Sequence, residues 1–380
     1  MTFDFTETQL MIRETASKFA EEELAPSASE RDEKEEFPHE AVKKLGELGF
    51  LGMMVSPEYG GAGLDMVSYV LAMEEISKVD ASCGVIMSVN NSLVCYGLER
   101  WGSGVQKEKY LRDLASGRKL GAFALSEPEA GSDATNQRTV AVGSGDGYLL
   151  TGTKNFITNG ANADVVLVMA TTDKSKGANG ISTFIVEKGT KGFSVAKKER
   201  KLGIRSSDTV SLAFQDCRVP AENRIGEEGF GFKFAMKTLD GGRIGIAAQA
   251  LGIAMASRDA SIRYSKQRRA FSHYLSDLQA IQFKIAEMAT KIDAAQMLTL
   301  KAAALKDADK PFAQNAAMAK LYSSKIAVEC ALEAIQIHGG YGYIKDYSVE
   351  RYLRDAKITE IYEGTSEVQR IVISRGLLKN

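Results

Sequence analysis

Helical, then strand-rich, then helical composition along the chain predicts an α+β fold in three parts. These are an N-terminal α-helical domain over 1–120, a middle β-domain over 121–231 and a C-terminal four-helix-bundle domain over 232–380. Three observations carry this. Apolar residues recur every three or four positions at the start, short β-rich runs separated by turn residues fill the centre, and four long Ala-, Lys- and Leu-rich segments close the chain.

Thr6-Glu7-Thr8-Gln9 has capping-box spacing, and Leu10, Ile12, Ala16, Phe19 and Ala20 behind it mark one face of an amphipathic helix. Charges crowd 21–36, and further helical stretches follow over Val67–Ser77 and Val105–Leu114, interrupted by Gly60-Gly61-Ala62-Gly63. From Gly121 the pattern shortens to Val140–Val142, Tyr148–Thr151, Val165–Thr172, Thr183–Val186 and Val210–Phe214, with turn clusters such as 143–147 between them. After Gly231, helical patterns return at about Gly245–Arg268, Ser276–Asp307, Phe312–His338 and Ser366–Leu377, with proline only at Pro311, and four such helices suggest a bundle. No internal repeat or low-complexity segment is visible.

A chain of 380 residues is long enough for a sizeable core and a buried ligand site. With 48 Lys and Arg against 49 Asp and Glu, it has no global basic field for nucleic acid or an anionic membrane, so charge points to small-molecule chemistry. Cys83, Cys95, Cys217 and Cys330 are far apart without metal-finger spacing and read as core thiols in a reducing compartment. The opening Met1-Thr2-Phe3-Asp4 lacks the basic and apolar regions of a signal peptide, and the longest apolar run, Val165–Ala170, is far short of a bilayer span. A cytoplasmic protein without a membrane span is expected. No G-x-G-x-x-G follows a strand, no lysine phosphate loop is present, and His39, His273 and His338 are too scattered for a local metal motif.

Chemistry concentrates near the C-terminus, in Tyr362-Glu363-Gly364-Thr365-Ser366-Glu367. A carboxylate beside a backbone-permissive glycine and two hydroxyls can act as a positioned base. Three other segments stand with it: Phe123-Ala124-Leu125-Ser126-Glu127-Pro128-Glu129-Ala130-Gly131-Ser132-Asp133, Gly152–Gly160 around Phe156, Ile157 and Thr158, and Gln336-Ile337-His338-Gly339-Gly340-Tyr341-Gly342-Tyr343. Together, with Arg351, Arg354 and Asp355, these four segments resemble the acyl-CoA dehydrogenase family across almost the whole chain.

The resemblance implies FAD as cofactor. Phe123 to Ser126, with Gly131 and Ser132, look like the loop whose amides and Ser126 hydroxyl meet the isoalloxazine edge, while Ser132 faces the CoA part of the substrate. On residue type alone the segment is also an ordinary Ser/Gly/Pro turn. Thr158 is similar to the threonine that hydrogen-bonds the flavin, and Phe156 stands where the family usually has a tryptophan shielding one flavin face. Plain core is the other reading of Phe156. Arg268, Phe271 and Gln279 resemble the pairing of a pyrophosphate-binding arginine with a downstream glutamine, against the alternative of a surface arginine at a helix end. Gln336, Ile337, His338, Gly339 and Gly340 resemble the segment that contacts the FAD of a neighbouring subunit, or form a simple helix-terminating turn. Thr365, Ser366 and Glu367 complete the implied cofactor set.

The resemblance also implies Glu363 as the base that removes an α-proton while a β-hydride passes to FAD, with the Glu363 amide and a ribityl hydroxyl polarising the thioester oxygen. Some family branches carry the base at the position of Gly242, which has no side chain here. Gly364 lets the thioester approach, and Asp240 and Arg243 resemble the lining of the acyl-CoA entrance, unless they are only an i,i+3 ion pair. Gln249 stands where relatives for longer chains have a small residue, which implies a plugged pocket and short, butyryl-like acyl-CoA substrates; a helix-surface glutamine is its alternative. The implied partners are an electron-transfer flavoprotein and three further copies in a homotetramer, a dimer of dimers, with no nucleic acid. Open alternatives are a branched-chain or other acyl-CoA dehydrogenase, or an oxygen-using flavoenzyme on the same fold.

Overall fold

The computed structural model describes residues 4–378, so Met1-Thr2-Phe3 of the opening stretch lie outside it. The first helix, Glu7–Phe19, begins at the expected capping box: the Thr6 hydroxyl accepts from Gln9 N and the Gln9 side chain accepts from Thr6 N. Helices Ala28–Lys34, His39–Glu47 and Met66–Val79 follow. The next, Ala81–Trp101, is long and apolar enough to cross a membrane, and it is almost wholly buried inside the protein. It is hard to see in the sequence because Ser88, Asn90, Asn91 and Ser92 interrupt its apolar run. The two asparagine amides are satisfied internally. Asn91 accepts from Met53 N at 2.9 Å and donates to Phe50 O at 2.7 Å; Asn90 donates to Leu51 O at 2.8 Å and accepts from Gly121 N at 2.9 Å. This helix therefore fixes the start of the sheet domain.

The middle region comprises β1 (Gly121–Ala124), β2 (Val140–Ser144), β3 (Gly147–Thr158), β4 (Val165–Thr171), β5 (Ile181–Glu187), β6 (Phe193–Lys198), β7 (Thr209–Pro220) and β8 (Arg224–Ile225). They form one sheet in the order β6-β7-β3-β2-β4-β5-β8, with β1 pairing parallel to β4. β6 carries mostly exposed residues and β8 is two residues long, so neither has the apolar signature that betrays a strand in sequence. β3 and β7 slip register between Leu150 and Gly152 and again between Lys154 and Ile157. The second irregularity turns neighbouring side chains to opposite environments: Lys154 is fully buried and Phe156 is 65% exposed.

The C-terminal region is built on helices Gly231–Gln267, Gln279–Asp307, Ala313–His338, Val349–Ile358 and Ser366–Leu378. The first starts fourteen residues before the expected Gly245 and runs straight through Gly241 and Gly242. Two adjacent glycines weaken a helix on propensity alone, but here they sit where other side chains press on it, and packing decides. That helix packs against Ala313–His338, Gln279–Asp307 and, from the N-terminal region, Met66–Val79. The ten-residue Val349–Ile358 helix is an addition to the four expected from the sequence. Arg354 ties it to Asp32 at 2.7 Å, and Asp355 accepts from Ile204 N at 2.5 Å, so it is bolted to both preceding regions. All four cysteines are buried and free.

Candidate active site

Glu363 lies in the turn between the last two helices. The backbone takes φ 51° at Glu363 and φ 94° at Gly364. A left-handed conformation is natural for glycine and costs a residue such as glutamate about 1–2 kcal/mol, so its surroundings must impose it. They do so through the neighbouring carbonyl: Gly364 O accepts from Lys320 Nζ at 2.6 Å and from Gln369 Nε2 at 2.8 Å, while Ser366 N donates to Glu360 O at 3.0 Å.

The carboxylate itself is left free. Glu363 Oε2 is shielded from solvent and has no hydrogen-bond partner, and the Glu363 N–H donates to nothing among the described residues. Burial pushes its pKa up to about 7, against the opposing pull of the Lys320 and Arg243 cations. The space beside it is Gly242, where an added Cβ would run into the Glu363 carboxylate and Leu93. Asp240 and Arg243, flanking that glycine, form the i,i+3 pair at 2.6 Å. Gln249, about two turns on, is fully buried rather than on the helix surface. It donates to Ala81 O at 2.8 Å and accepts from the Tyr362 hydroxyl, closing one end of the region around Glu363.

The Phe123–Ser132 and Gly152–Gly160 segments come together. Asn155 N donates to Ser126 O at 2.9 Å, and Lys154 Nζ reaches across to Leu125 O at 3.0 Å and Glu127 Oε1 at 2.7 Å. Phe123, Ala124, Leu125 and Ile157 are buried behind this edge. Phe156, with φ 59°, projects outward and is not core. The Ser126 and Thr158 hydroxyls make no hydrogen bond among the described residues, while Gly131 and Ser132 are exposed. An uncovered aromatic ring beside two unused hydroxyls fits a planar, hydrogen-bonding ligand such as a flavin.

Arg268 and the glycine cluster meet elsewhere, in a cavity of about 570 Å³ lined by Tyr264, Arg268, Leu275, Ile337, His338, Gly339, Gly340, Tyr341 and Ile344. None of the Glu363 or Ser126 groups lines it. The Arg268 guanidinium lies 5.6 Å from the Tyr341 ring centroid and is in no ion pair among the described residues. Gly339 also ends its helix, with φ 60°. Phe271 is 89% exposed, and Gln279 and Gln336 are exposed as well. Thr365 serves the turn itself, since its hydroxyl accepts from Val368 N at 3.3 Å, while Glu367 pairs with Arg370.

Three further residues adjoin these groups without having been singled out from the sequence: Lys320, Gln369 and Lys154, the last of them inside the Gly152–Gly160 segment. The first carries a readable signal in the sequence. Ala316, Ser323, Ser324 and Ala327 make its helix face small and buried, a place where a lysine needs a reason.

The helical, sheet and helical order, with a free carboxylate beside a helix and an open aromatic edge on the sheet, suits a flavin-linked oxidoreductase. Family domain models match it in three parts: acyl-CoA dehydrogenase N-terminal domain over 6–118, middle domain over 122–217 and C-terminal domain over 229–378. The chain belongs to the acyl-CoA dehydrogenase family, whose enzymes are FAD-dependent oxidoreductases. It is 52% identical over 374 residues to the short-chain specific acyl-CoA dehydrogenase of Clostridium acetobutylicum, covering 98% of this chain and 99% of that one. Among solved structures, butyryl-CoA dehydrogenase from Megasphaera elsdenii superposes with TM-score 0.98 at 50% identity, covering both chains fully. A chain from a structure described as the electron transferring flavoprotein of Acidaminococcus fermentans, concerned with flavin-based electron bifurcation, gives TM-score 0.99 at 53% identity, again covering both chains fully.

Proposed function

We propose that this acyl-CoA dehydrogenase acts on short, butyryl-like acyl-CoA thioesters, with Glu363 taking the α-proton. The observation that carries it is the free Glu363 carboxylate, placed beside Gly242 and one residue from the Tyr362–Gln249 contact. FAD, when bound, supplies the acceptor for the β-hydride. Ser126 and Thr158 would hold its ring edge, Phe156 would cover one face, and Arg268 with Gln279 and the Gln336–Gly340 segment would hold its phosphates and a neighbouring copy's flavin. The unused Glu363 N–H would polarise the thioester oxygen, and Gly364 leaves room for that end of the substrate. Ser132, Asp240 and Arg243 would line the CoA path.

Gln249 sets the chain length. It is fully buried and bonded at both ends, so a longer acyl chain must displace a satisfied amide. Resemblance to the Acidaminococcus chain supports an electron-transfer flavoprotein as the acceptor of the electrons. The separation of Arg268 and the glycine cluster from the Glu363 region supports sites completed between subunits of a homotetramer. A cytoplasmic setting keeps its four buried thiols reduced.

The test is an anaerobic absorbance spectrum before and after butyryl-, octanoyl- and isovaleryl-CoA in separate cuvettes. Bleaching of the flavin band chiefly by butyryl-CoA, abolished by Glu363→Gln with FAD still bound, is expected. Preference for octanoyl- or isovaleryl-CoA would discard the Gln249 argument, full activity in Glu363→Gln would discard the base, and rapid reoxidation by air with peroxide formation would favour an oxidase.

A further inference from the structure

We propose that Lys320 is the positioning residue of the catalytic base: its ammonium group clamps the Gly364 carbonyl and acts as countercharge to the Glu363 carboxylate while leaving that carboxylate free. The inference rests on the reading of Glu363 as the base.

Lys320 is fully buried about two turns into the Ala313–His338 helix. Its one hydrogen-bond acceptor among the described residues is Gly364 O at 2.6 Å, and it joins no ion pair there. A buried ammonium with a single carbonyl for company is costly, and a methionine of similar length would fill the same space without that cost. What the lysine contributes is therefore charge and direction. The charge is not used up elsewhere: Arg243, the other cation acting on Glu363, is already paired with Asp240 at 2.6 Å.

The point of attachment matters as much as the charge. An ammonium bonded to the carboxylate would hold it still and stabilise it as the anion, weakening it as a base. Lys320 instead grips the carbonyl of the next residue, together with Gln369 Nε2 at 2.8 Å, and holds the left-handed turn from which Glu363 projects. Glu363 Oε2 stays without a partner. The electrostatic benefit thus acts through space and the mechanical one through the backbone.

The groups facing the pair are few. Glu363 senses Lys320 and Arg243; Lys320 senses Glu363, Glu360 and Glu367 favourably and Arg243 unfavourably. Tyr69 and Tyr362, close by, have phenols pushed up by burial, so they carry no charge at neutral pH. Burial draws the Lys320 pKa down to about 8, with the Glu363 charge pulling it back up, which leaves it protonated at neutral pH.

Two substitutions separate charge from clamp. Lys320→Met removes both, whereas Gln369→Leu removes one clamp donor and leaves the charge. In the FAD-loaded enzyme, the Glu363 midpoint is read without turnover as the carboxylic-acid band, in infrared difference spectra, that Glu363→Gln abolishes. The rate of flavin reduction by butyryl-CoA is followed over the same pH range. Lys320→Met is expected to raise the infrared midpoint by about one pH unit and to slow reduction at neutral pH about tenfold, with only partial recovery as pH rises because the clamp is lost as well. Gln369→Leu is expected to slow reduction at every pH with the midpoint unmoved. An unchanged midpoint and rate in Lys320→Met would overturn the proposal. Failure of the base reading looks different: Glu363→Gln would then still reduce its flavin, whatever the infrared midpoint does in Lys320→Met.

Discussion

The carboxylate of Glu363 occupies the space in which a side chain on Gly242 would stand. Gly242 lies inside a helix of 37 residues, where a glycine costs roughly 1 kcal/mol relative to alanine. The sacrifice has a spatial reason, since the first atom of any side chain would meet both the carboxylate and Leu93. Gly242→Ala should therefore raise helix propensity yet lower kcat by about 10- to 100-fold, because displacing a reacting group by an ångström has effects of that size. Stopped-flow flavin reduction checks it, with the flavin spectrum expected to be unchanged.

Activity should rise with pH through the titration of Glu363. Burial raises its pKa to about 7, and only the deprotonated form is a base, so kcat/KM with butyryl-CoA should fall as pH drops below about 7. The same shift has a stability consequence of definite sign. A carboxyl whose folded pKa is raised contributes stability that is fully present below its unfolded value of about 4.3 and is lost as pH climbs through about 7. Glu363→Gln should thus leave Tm nearly unchanged at pH 5 and raise it by on the order of a few degrees at pH 8. Calorimetry at both pH values decides it; equal effects at the two would count against a raised pKa.

Most of this architecture was legible. The capping box at Thr6, the strands around Val165 and Val210, and the long C-terminal helices each follow from local periodicity. What escaped depended on contacts distant in sequence. The Gly231–Gln267 helix crosses two adjacent glycines whose reason lies in Glu363, Leu93 and Lys306, and the Ala81–Trp101 helix hides two asparagines with partners about 24 to 41 residues away. The candidate base was readable because its chemistry is written in adjacent residues. Lys320 shows in the sequence only as a lysine on a small, buried helix face; its partner does not show, because it comes within reach of Gly364 only after 43 intervening residues have folded back.

Gln249 offers a direct route to changed specificity. Gln249→Ala removes a buried side chain and leaves Ala81 O and the Tyr362 hydroxyl without their partner. Losing those partners should cost about 1–3 kcal/mol of stability. The opened space should shift the ratio of kcat/KM for hexanoyl-CoA over butyryl-CoA upward by about tenfold, the scale at which one or two methylenes are discriminated in an apolar pocket. Steady-state kinetics with the two substrates test this, and an unchanged ratio would show that Gln249 does not bound the pocket.

Lys154 and Glu127 form a pair with side chains 0% and 3% exposed, directly behind the edge formed by Ser126 and Phe156. Burial pulls the Lys154 pKa down to about 8, with Glu127 acting against it. On Glu127, burial pushes upward but the lysine charge and bonds from Arg138 N and Thr139 N prevail, and its pKa ends below the usual value. Because Lys154 also holds Leu125 O, Lys154→Met leaves a buried carboxylate without its counter-charge and frees the loop together, a loss of about 3–5 kcal/mol. Purified Lys154→Met should have a lower Tm and a reduced ratio of flavin to protein absorbance. Adding Glu127→Gln removes the orphaned charge, so the double variant should regain much of the Tm but little of the flavin, since Leu125 O still lacks its donor. Recovery of both together would mean that the pair holds only the fold and not the cofactor loop.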